Sequence, residues 1–367
     1  MNIAIVASAN GNQRHRIMSV ARELGREHHV TIYSRRDNAE GKPKTRVAPG
    51  VTLENIEVGP ARQLSPDEVV PYLNDVGHHL MRRWNQERPD VIHAHSWTGG
   101  LVAVAGAKGL DVPVTQTFHT VDAARLDLER ALGRRANAVI AGSGDEESAL
   151  IRLGVPRTNI AIVPYGVDTE RFQRRGAIAT RGTRKRLLHV GPLSIDRGAH
   201  TIVRALQGLN DVEVVIAGGP EPEDLEQDRD ARRLRALAEQ LGVSERVTLL
   251  GQVKRAAVPK LMRSADAVVS VPREAGTGIV ALEAMACGVP VIASAVGAHL
   301  DSVIDGVTGL LVPPDRPART ARLARELLWD PTLRTALGYA GADRARSRYS
   351  WERVSQELVR VYEAACA

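Results

Sequence analysis

Aromatic residues make up only 3% of this 367-residue chain, and cysteine occurs twice, at Cys287 and Cys366. So few rings leave little on which the bases of single-stranded nucleic acid could stack, and no nucleic-acid partner is expected. Two cysteines supply neither a disulfide framework nor a zinc-ligand pattern, so the expected setting is the reducing cytoplasm. No run of about 18 apolar residues occurs, and no membrane-spanning helix is expected. The opening MNIAIVASANGNQRHR has no basic segment ahead of its short apolar run, which reads against a secretion signal. Two nucleotide motifs are missing as well. The first strand runs into Ser8-Ala9-Asn10-Gly11-Asn12-Gln13, without the G-x-G-x-x-G of dinucleotide-binding folds, and no G-x-x-x-x-G-K-[ST] phosphate loop occurs. A dehydrogenase or an NTPase is therefore disfavoured.

What is present describes a globular α/β protein. Apolar residues make up 43% and charged residues 25%. The length suggests two domains. Apolar strands are expected at 3–7, 30–33, 91–95, 112–117, 139–141 and 161–163, and again at 187–190, 212–217, 247–250, 267–271 and 289–293. Strands this apolar, separated by amphipathic helices, indicate parallel sheets covered on both faces. The boundary falls in the Arg-rich segment 168–186, after Pro164-Tyr165-Gly166-Val167-Asp168. A last helix is expected at 351–365, with Ser350 as its N-cap. The net charge of +6 is spread through Arg-rich stretches. It either attracts anionic substrates and lipid headgroups, which leaves peripheral membrane contact open, or is simply solvated surface.

The most informative stretch is 272–294, PREAGTGIVALEAMACGVPVIAS. It reads as a Gly-rich turn, a helix opening near Gly278 and Ile279, a stop at Gly288 before Pro290, and a second apolar strand. Gly276 and Gly278 let the backbone approach a ligand, and the helix N-terminus offers unpaired N–H groups and a positive dipole end to phosphate. Side chains lean toward a helix N-terminus, so Glu283 can reach a group held there. A carboxylate beside a phosphate suits sugar hydroxyls, and the two together suggest a nucleotide sugar. Other candidates are less specific. Gly218 and Gly219 close a strand, and Gly11 follows the first one; each is either a turn or a site of close backbone approach. His93 and His95 share one face of a strand, while His119 follows the strand 112–117. A metal pair at His93 and His95 has no third ligand at an obvious spacing.

The stretch 272–294 resembles the donor-site signature of the retaining family-4 glycosyltransferases, E-x-F-G-I-x-x-x-E followed by A-x-A-x-G-x-P-V-I. Gly278, Ile279, Glu283, Ala284, Gly288, Pro290, Val291 and Ile292 match. Ala275 stands where the first glutamate belongs, with Glu274 one residue early. The segment Val190-Gly191-Pro192-Leu193-Ser194-Ile195-Asp196-Arg197-Gly198 is similar to V-G-R-L-x-x-x-K-G. Arg197 keeps the lysine's charge, and Pro192 loses the arginine's. The resemblance covers nearly the whole chain and extends to small actinobacterial cyclitol- and aminoglycoside-type enzymes.

The resemblance implies two facing Rossmann-like domains of the GT-B architecture. These are an acceptor domain at 1–170, a nucleotide-sugar domain at 171–348, and a final helix at 349–367 packing back on the first. It implies a retaining hexosyltransferase that moves glucose, N-acetylglucosamine or a similar sugar from a UDP-type donor to a small hydroxyl acceptor. An aminocyclitol of antibiotic biosynthesis is the preferred acceptor; a nucleotide-sugar epimerase and a peripheral-membrane glycolipid enzyme are the alternatives. Catalytic roles fall on His119, Arg197 and Glu283. Donor contacts fall on Gly11, Gly191, Arg197, Gly218, Gly219, Glu274, Gly276, Thr277, Gly278, Ile279, Val280 and Glu283, with the base held by the loop from Gly251 to Lys254. Acceptor contacts fall on Asn10, His95 and His119, while His93 is structural. The nine residues between His119 and Glu129 make a short loop that reshapes the acceptor side. No cofactor and no metal are implied, since Asp196, Glu274 and Glu283 are not grouped as an Asp-x-Asp.

Overall fold

The computed structural model describes residues 1–7, 11–119, 121, 123–274 and 276–367. The chain divides into two compact units, one of Met1–Pro164 with Trp351–Ala367 and the other of Tyr165–Ser350. In the first unit, strands β1 (Asn2–Val6), β2 (His29–Arg35), β3 (Lys44–Ala48), β4 (Val51–Ile56), β5 (Val91–His95), β6 (Val114–Thr117), β7 (Ala138–Ala141) and β8 (Ile160–Ile162) form one sheet. Their order is β3-β4-β2-β1-β5-β6-β7-β8, parallel except for the β3–β4 pair. In the second unit, β9 (Lys185–Val190), β10 (Val212–Ala217), β11 (Val247–Gly251), β12 (Ala267–Ser270), β13 (Val291–Ser294) and β14 (Leu310–Val312) follow the order β11-β10-β9-β12-β13-β14, all parallel.

Each apolar run expected to be a strand is one. Ile3 to Val6 and all of β5 and β13 are buried, as a strand covered on both faces must be. Three strands escaped the sequence reading. Lys44–Ala48 and Val51–Ile56 carry polar residues because β3 is an antiparallel edge with one face open to water. Leu310–Val312 is too short for a period to show. The first helix also departs from the reading of Gly11 as a turn. It runs Gly11–Leu24, so Gly11 opens the helix rather than forming a separate turn ahead of it.

The final helix, Trp351–Cys366, belongs to the first unit. Val354, Leu358 and Tyr362 recur every fourth residue and so share one helix face. They pack into the cluster of Ile3, Ile5, Ile17, Ala21 and Val30.

Both sheets reverse strand order once near the middle. In the second, the chain steps outward through β9, β10 and β11, then returns to the other side of β9 as β12. In the first, the return lies between β1 and β5. Loops leaving the carboxyl ends of two such strands diverge and leave a crevice, which is where open α/β sheets bind ligands. These crevices are where the candidate residues collect.

Candidate functional site

In the second unit, the crevice lies between the loop after β9 and the loop after β12. The Arg273 N–H donates to the Asp196 carbonyl at 2.8 Å and joins the two loops. Arg197 ends a short 3-10 turn, and its guanidinium lies 3.9 Å from where a Cβ on Gly276 would stand. Its neighbour Asp196 is 3.6 Å away, and both side chains are about half exposed, so this pair restrains Arg197 little. Pro192 is exposed where the resemblance called for a second cation. The nearby cation that sequence reasoning missed, Arg273, pairs with Asp315 at 2.8 Å.

The helix Ile279–Ala286 starts at Gly278, which has φ of +64° and serves as N-cap. Only glycine adopts that conformation without strain. Ile279 and Val280 pack partly buried against the core beneath, Gly276 and Glu274 are exposed, and Thr277 is half-buried. Ala275 lies outside the described residues, so the displaced glutamate has no structural account. Gly218 is held against Gly191: a Cβ there would fall 2.2 Å from the Gly191 carbonyl oxygen. With Gly219 it forms the bend in which the Gly218 N–H donates to the Gly251 carbonyl at 2.7 Å.

Glu283 is 1% exposed, on the same helix. Its carboxylate accepts from the Arg255 guanidinium, which also lies 4.8 Å over the Phe172 ring. Pairing is what makes a buried carboxylate tolerable. Arg255 was missed, although it directly follows the loop assigned to the base. His299 was missed too. Its Nδ1–H donates to the Ser294 carbonyl at 3.0 Å, its Nε2 lies 3.4 Å from the Ser270 hydroxyl, and its ring packs below Gly278. It ties the ends of β12 and β13 beneath the helix start, and burial lowers its pKa.

In the first unit, three histidines stand in a row. His93 bonds the Tyr362 hydroxyl at 2.7 Å and the Thr117 hydroxyl at 2.9 Å. His95 packs on His93 with ring centroids 4.1 Å apart, and its Nδ1 lies 3.0 Å from His119 Nε2. The His95 and His119 rings are stacked at 5.2 Å. Burial holds all three pKa values down: to about 3 for His93, to about 4 for His119 with Arg16 adding repulsion, and well below normal for His95. All three are therefore neutral at pH 7, and one of the facing His95 and His119 nitrogens carries the proton between them. His95, expected on an acceptor rim, is 8% exposed and sits beneath His119 instead. The strand places its side chain inward, on the same face as His93. His119 has φ of +67°, an uncommon conformation for a side-chain-bearing residue and one that gathers at functional sites. Asn10 lies outside the described residues.

One Asp-x-Asp spacing does occur, at Asp228-Arg229-Asp230. Asp228 caps the helix Arg229–Gln240 through the Ala231 N–H at 2.8 Å, and Asp230 pairs with Arg233. It is a helix start. Among the described residues no group of three His, Cys, Asp or Glu side chains is arranged to hold a metal ion, and no helix is long and apolar enough to cross a membrane.

Residues 170–344 match the family described as Glycosyl transferases group 1, and residues 13–171 match Glycosyltransferase Family 4. The D-inositol 3-phosphate glycosyltransferase of Xylanimonas cellulosilytica is 30% identical, over 95% of this chain and 90% of the relative. That of Acidothermus cellulolyticus is 31% identical, over 96% and 85%. Sucrose-phosphate synthase from Thermosynechococcus elongatus superposes with a TM-score of 0.84 at 24% identity, covering 99% of this chain and 98% of that one. Anabaena HepE in complex with UDP and glucose gives 0.76 at 20%, covering 98% of each. The chain belongs to the group 1 and family 4 glycosyltransferases, with the two-domain GT-B fold. It is a glycosyltransferase of the class that takes its sugar from a nucleotide sugar.

Proposed function

We propose that the protein moves a hexosyl group from a UDP-linked sugar to a hydroxyl of a small polyhydroxylated ring, a cyclitol or aminocyclitol, with retention at the anomeric carbon. The observation that carries this reading is the start of the helix Ile279–Ala286. Gly278, the nearby Arg197 and the buried Glu283 set an anion site and a hydroxyl-accepting carboxylate a turn apart. The diphosphate lies against the helix start and Arg197, with ribose hydroxyls on Glu283. The neutral His119 contacts the transferred sugar, and His95 fixes which of its nitrogens carries the proton. Support for a cyclitol comes from the curated relatives, which are D-inositol 3-phosphate glycosyltransferases.

In the step proposed, the acceptor oxygen bonds to the anomeric carbon on the face from which the diphosphate leaves. The bond from that carbon to the phosphate oxygen breaks, and the acceptor proton passes to the departing phosphate. Arg197 and the helix start stabilise the charge gathering on that group. An antibiotic pathway and a cytoplasmic setting belong to the same proposal. The test is incubation with UDP-glucose and UDP-N-acetylglucosamine, with and without inositols and aminocyclitols, reading UDP release and the anomeric configuration by NMR. Acceptor-dependent release of UDP with a retained configuration is expected. An inverted product would overturn the same-face step. An altered donor released without acceptor would replace transfer by epimerisation.

A further inference from the structure

At the amino ends of β12 and β13, away from the loops assigned to the donor, the second unit carries an open pocket of about 380 Å³. Arg174, Arg175, Arg263 and Arg334 line it, with Asp266 as the lone carboxylate. Asp266 is already occupied: it takes the Arg181 guanidinium at 2.6 Å and the Arg186 N–H at 2.8 Å. None of the four lining arginines has an ion-pair partner among the described residues. Four arginines thus line one concavity, and the one carboxylate that shares it is engaged by Arg181. That arrangement raises the free energy of the empty site through like-charge repulsion and lowers that of any anion that enters.

Three of the four are held in place. Arg263 donates Nε to the Ala177 carbonyl and Nη1 to the Gln173 carbonyl, both at 3.0 Å. Arg334 is tethered by Nη1 to the Leu328 carbonyl at 2.8 Å. Arg174 lies over the Tyr339 ring, with Cζ 3.6 Å from its centroid. Fixing long side chains in advance removes much of the entropy that binding would otherwise cost. Planar forks presented this way match the oxygens of phosphate, which accept two parallel hydrogen bonds from one guanidinium. The volume lies at the small end of ligand sites. A strand of nucleic acid needs a long groove with several rings, and this pocket offers only Tyr339.

We propose that this pocket is a second anion site that binds a phosphate-bearing ligand, independent of the nucleotide-sugar site. The phosphate can come from a small soluble polyphosphorylated molecule or from a phospholipid headgroup. The exposed Ile178 and Tyr339 at the rim are compatible with either.

The test is calorimetric titration of inorganic tripolyphosphate into the full-length protein saturated with UDP, with a parallel sedimentation assay using phosphatidylcholine vesicles with and without phosphatidylglycerol. Variants are Arg175→Gln, an exposed side chain whose change leaves the core intact, and the double change Arg175→Gln with Arg334→Gln. Saturable tripolyphosphate binding, weakened about tenfold or more in the double variant and less in the single one, supports the site with a soluble ligand. Sedimentation with the anionic vesicles only, lost in the same variants, supports the headgroup. Binding that the variants leave unchanged, or no binding to either probe, overturns the proposal. The substituted arginines lie at the other end of the sheet from Arg197 and Glu283, so these outcomes are separable from failure of the donor assignment.

Discussion

The two crevices handle charge in opposite ways. In the second unit, the loops after β9 and β12 present an exposed cation, Arg197, together with the start of the helix Ile279–Ala286. In the first unit, β5 and the loop after β6 present three histidines that burial keeps neutral. In the proposed assignment, one end holds negative charge and the other supplies uncharged donors and acceptors. The contrast matches the two halves of a glycosyl transfer, where a diphosphate leaves with charge and a neutral hydroxyl attacks. It also shows how differently the two ends are made. The charged end relies on backbone N–H groups and one side chain at the rim, while the neutral end relies on side chains packed on one another and on Tyr362.

The largest expected effect breaks the charged end. Arg197→Ala should cost about 2–4 kcal/mol in kcat, on the order of thirtyfold to a thousandfold, with a smaller change in donor affinity. A turnover within about twofold of wild type would move the role to another cation, with Arg273 the first to examine.

Next comes Glu283→Ala, which removes the buried partner of Arg255. UDP should raise the melting temperature of the wild type, because a ligand bound only by the folded state stabilises it by mass action. The variant should lose most of that rise. An equal shift in both proteins would make Glu283 a packing residue and leave the charged end without its hydroxyl acceptor.

The neutral end is sharpened by pH. His93, His95 and His119 have folded pKa values below the unfolded value near 6.5, so the unfolded chain takes up protons that the folded one refuses. Stability should be fully present above pH 6.5 and fall as the pH drops through 6.5 toward about 4 and then 3. The slope should approach about 1.4 kcal/mol per pH unit for each such histidine. Denaturant melts across this range for the wild type and His119→Gln give the check. Identical slopes would mean that His119 is charged or solvated in the folded protein.

The smallest effect concerns metal. Activity should survive excess EDTA with a modest loss at most, because Arg197 and the helix start neutralise the leaving group in this scheme. Loss in EDTA with recovery on adding Mn²⁺ would contradict the assignment of the charged end.

The helix proposed to hold the donor was legible as local structure because its parts lie close together in the chain. Gly276, Gly278, Glu283 and Gly288 sit within one helix and its two boundaries, and the punctuation of that helix is written in glycine and proline. Arg255 and His299 were not legible, since each reaches Glu283 or Gly278 from a separate element. The histidine row was half legible. Period-two spacing put His93 and His95 on one face, but nothing in the spacing placed His119 Nε2 against His95 Nδ1 or buried His95 under it. The strands β3 and β4 were lost for a different reason: an edge with one face open to water dilutes the apolar signal that marked the central strands.

By itself, the sequence determined most of the segments that form the parallel sheets and where the helix Ile279–Ala286 starts, because these depend on apolar runs and on backbone conformations that only glycine and proline encode nearby. Tertiary structure alone decided the partners. It set Arg255 on Glu283, His299 beneath Gly278, Tyr362 on His93, and four arginines around one pocket. Each pairing joins residues far apart in the chain, and its geometry depends on strand order and packing rather than on any local preference of the residues involved.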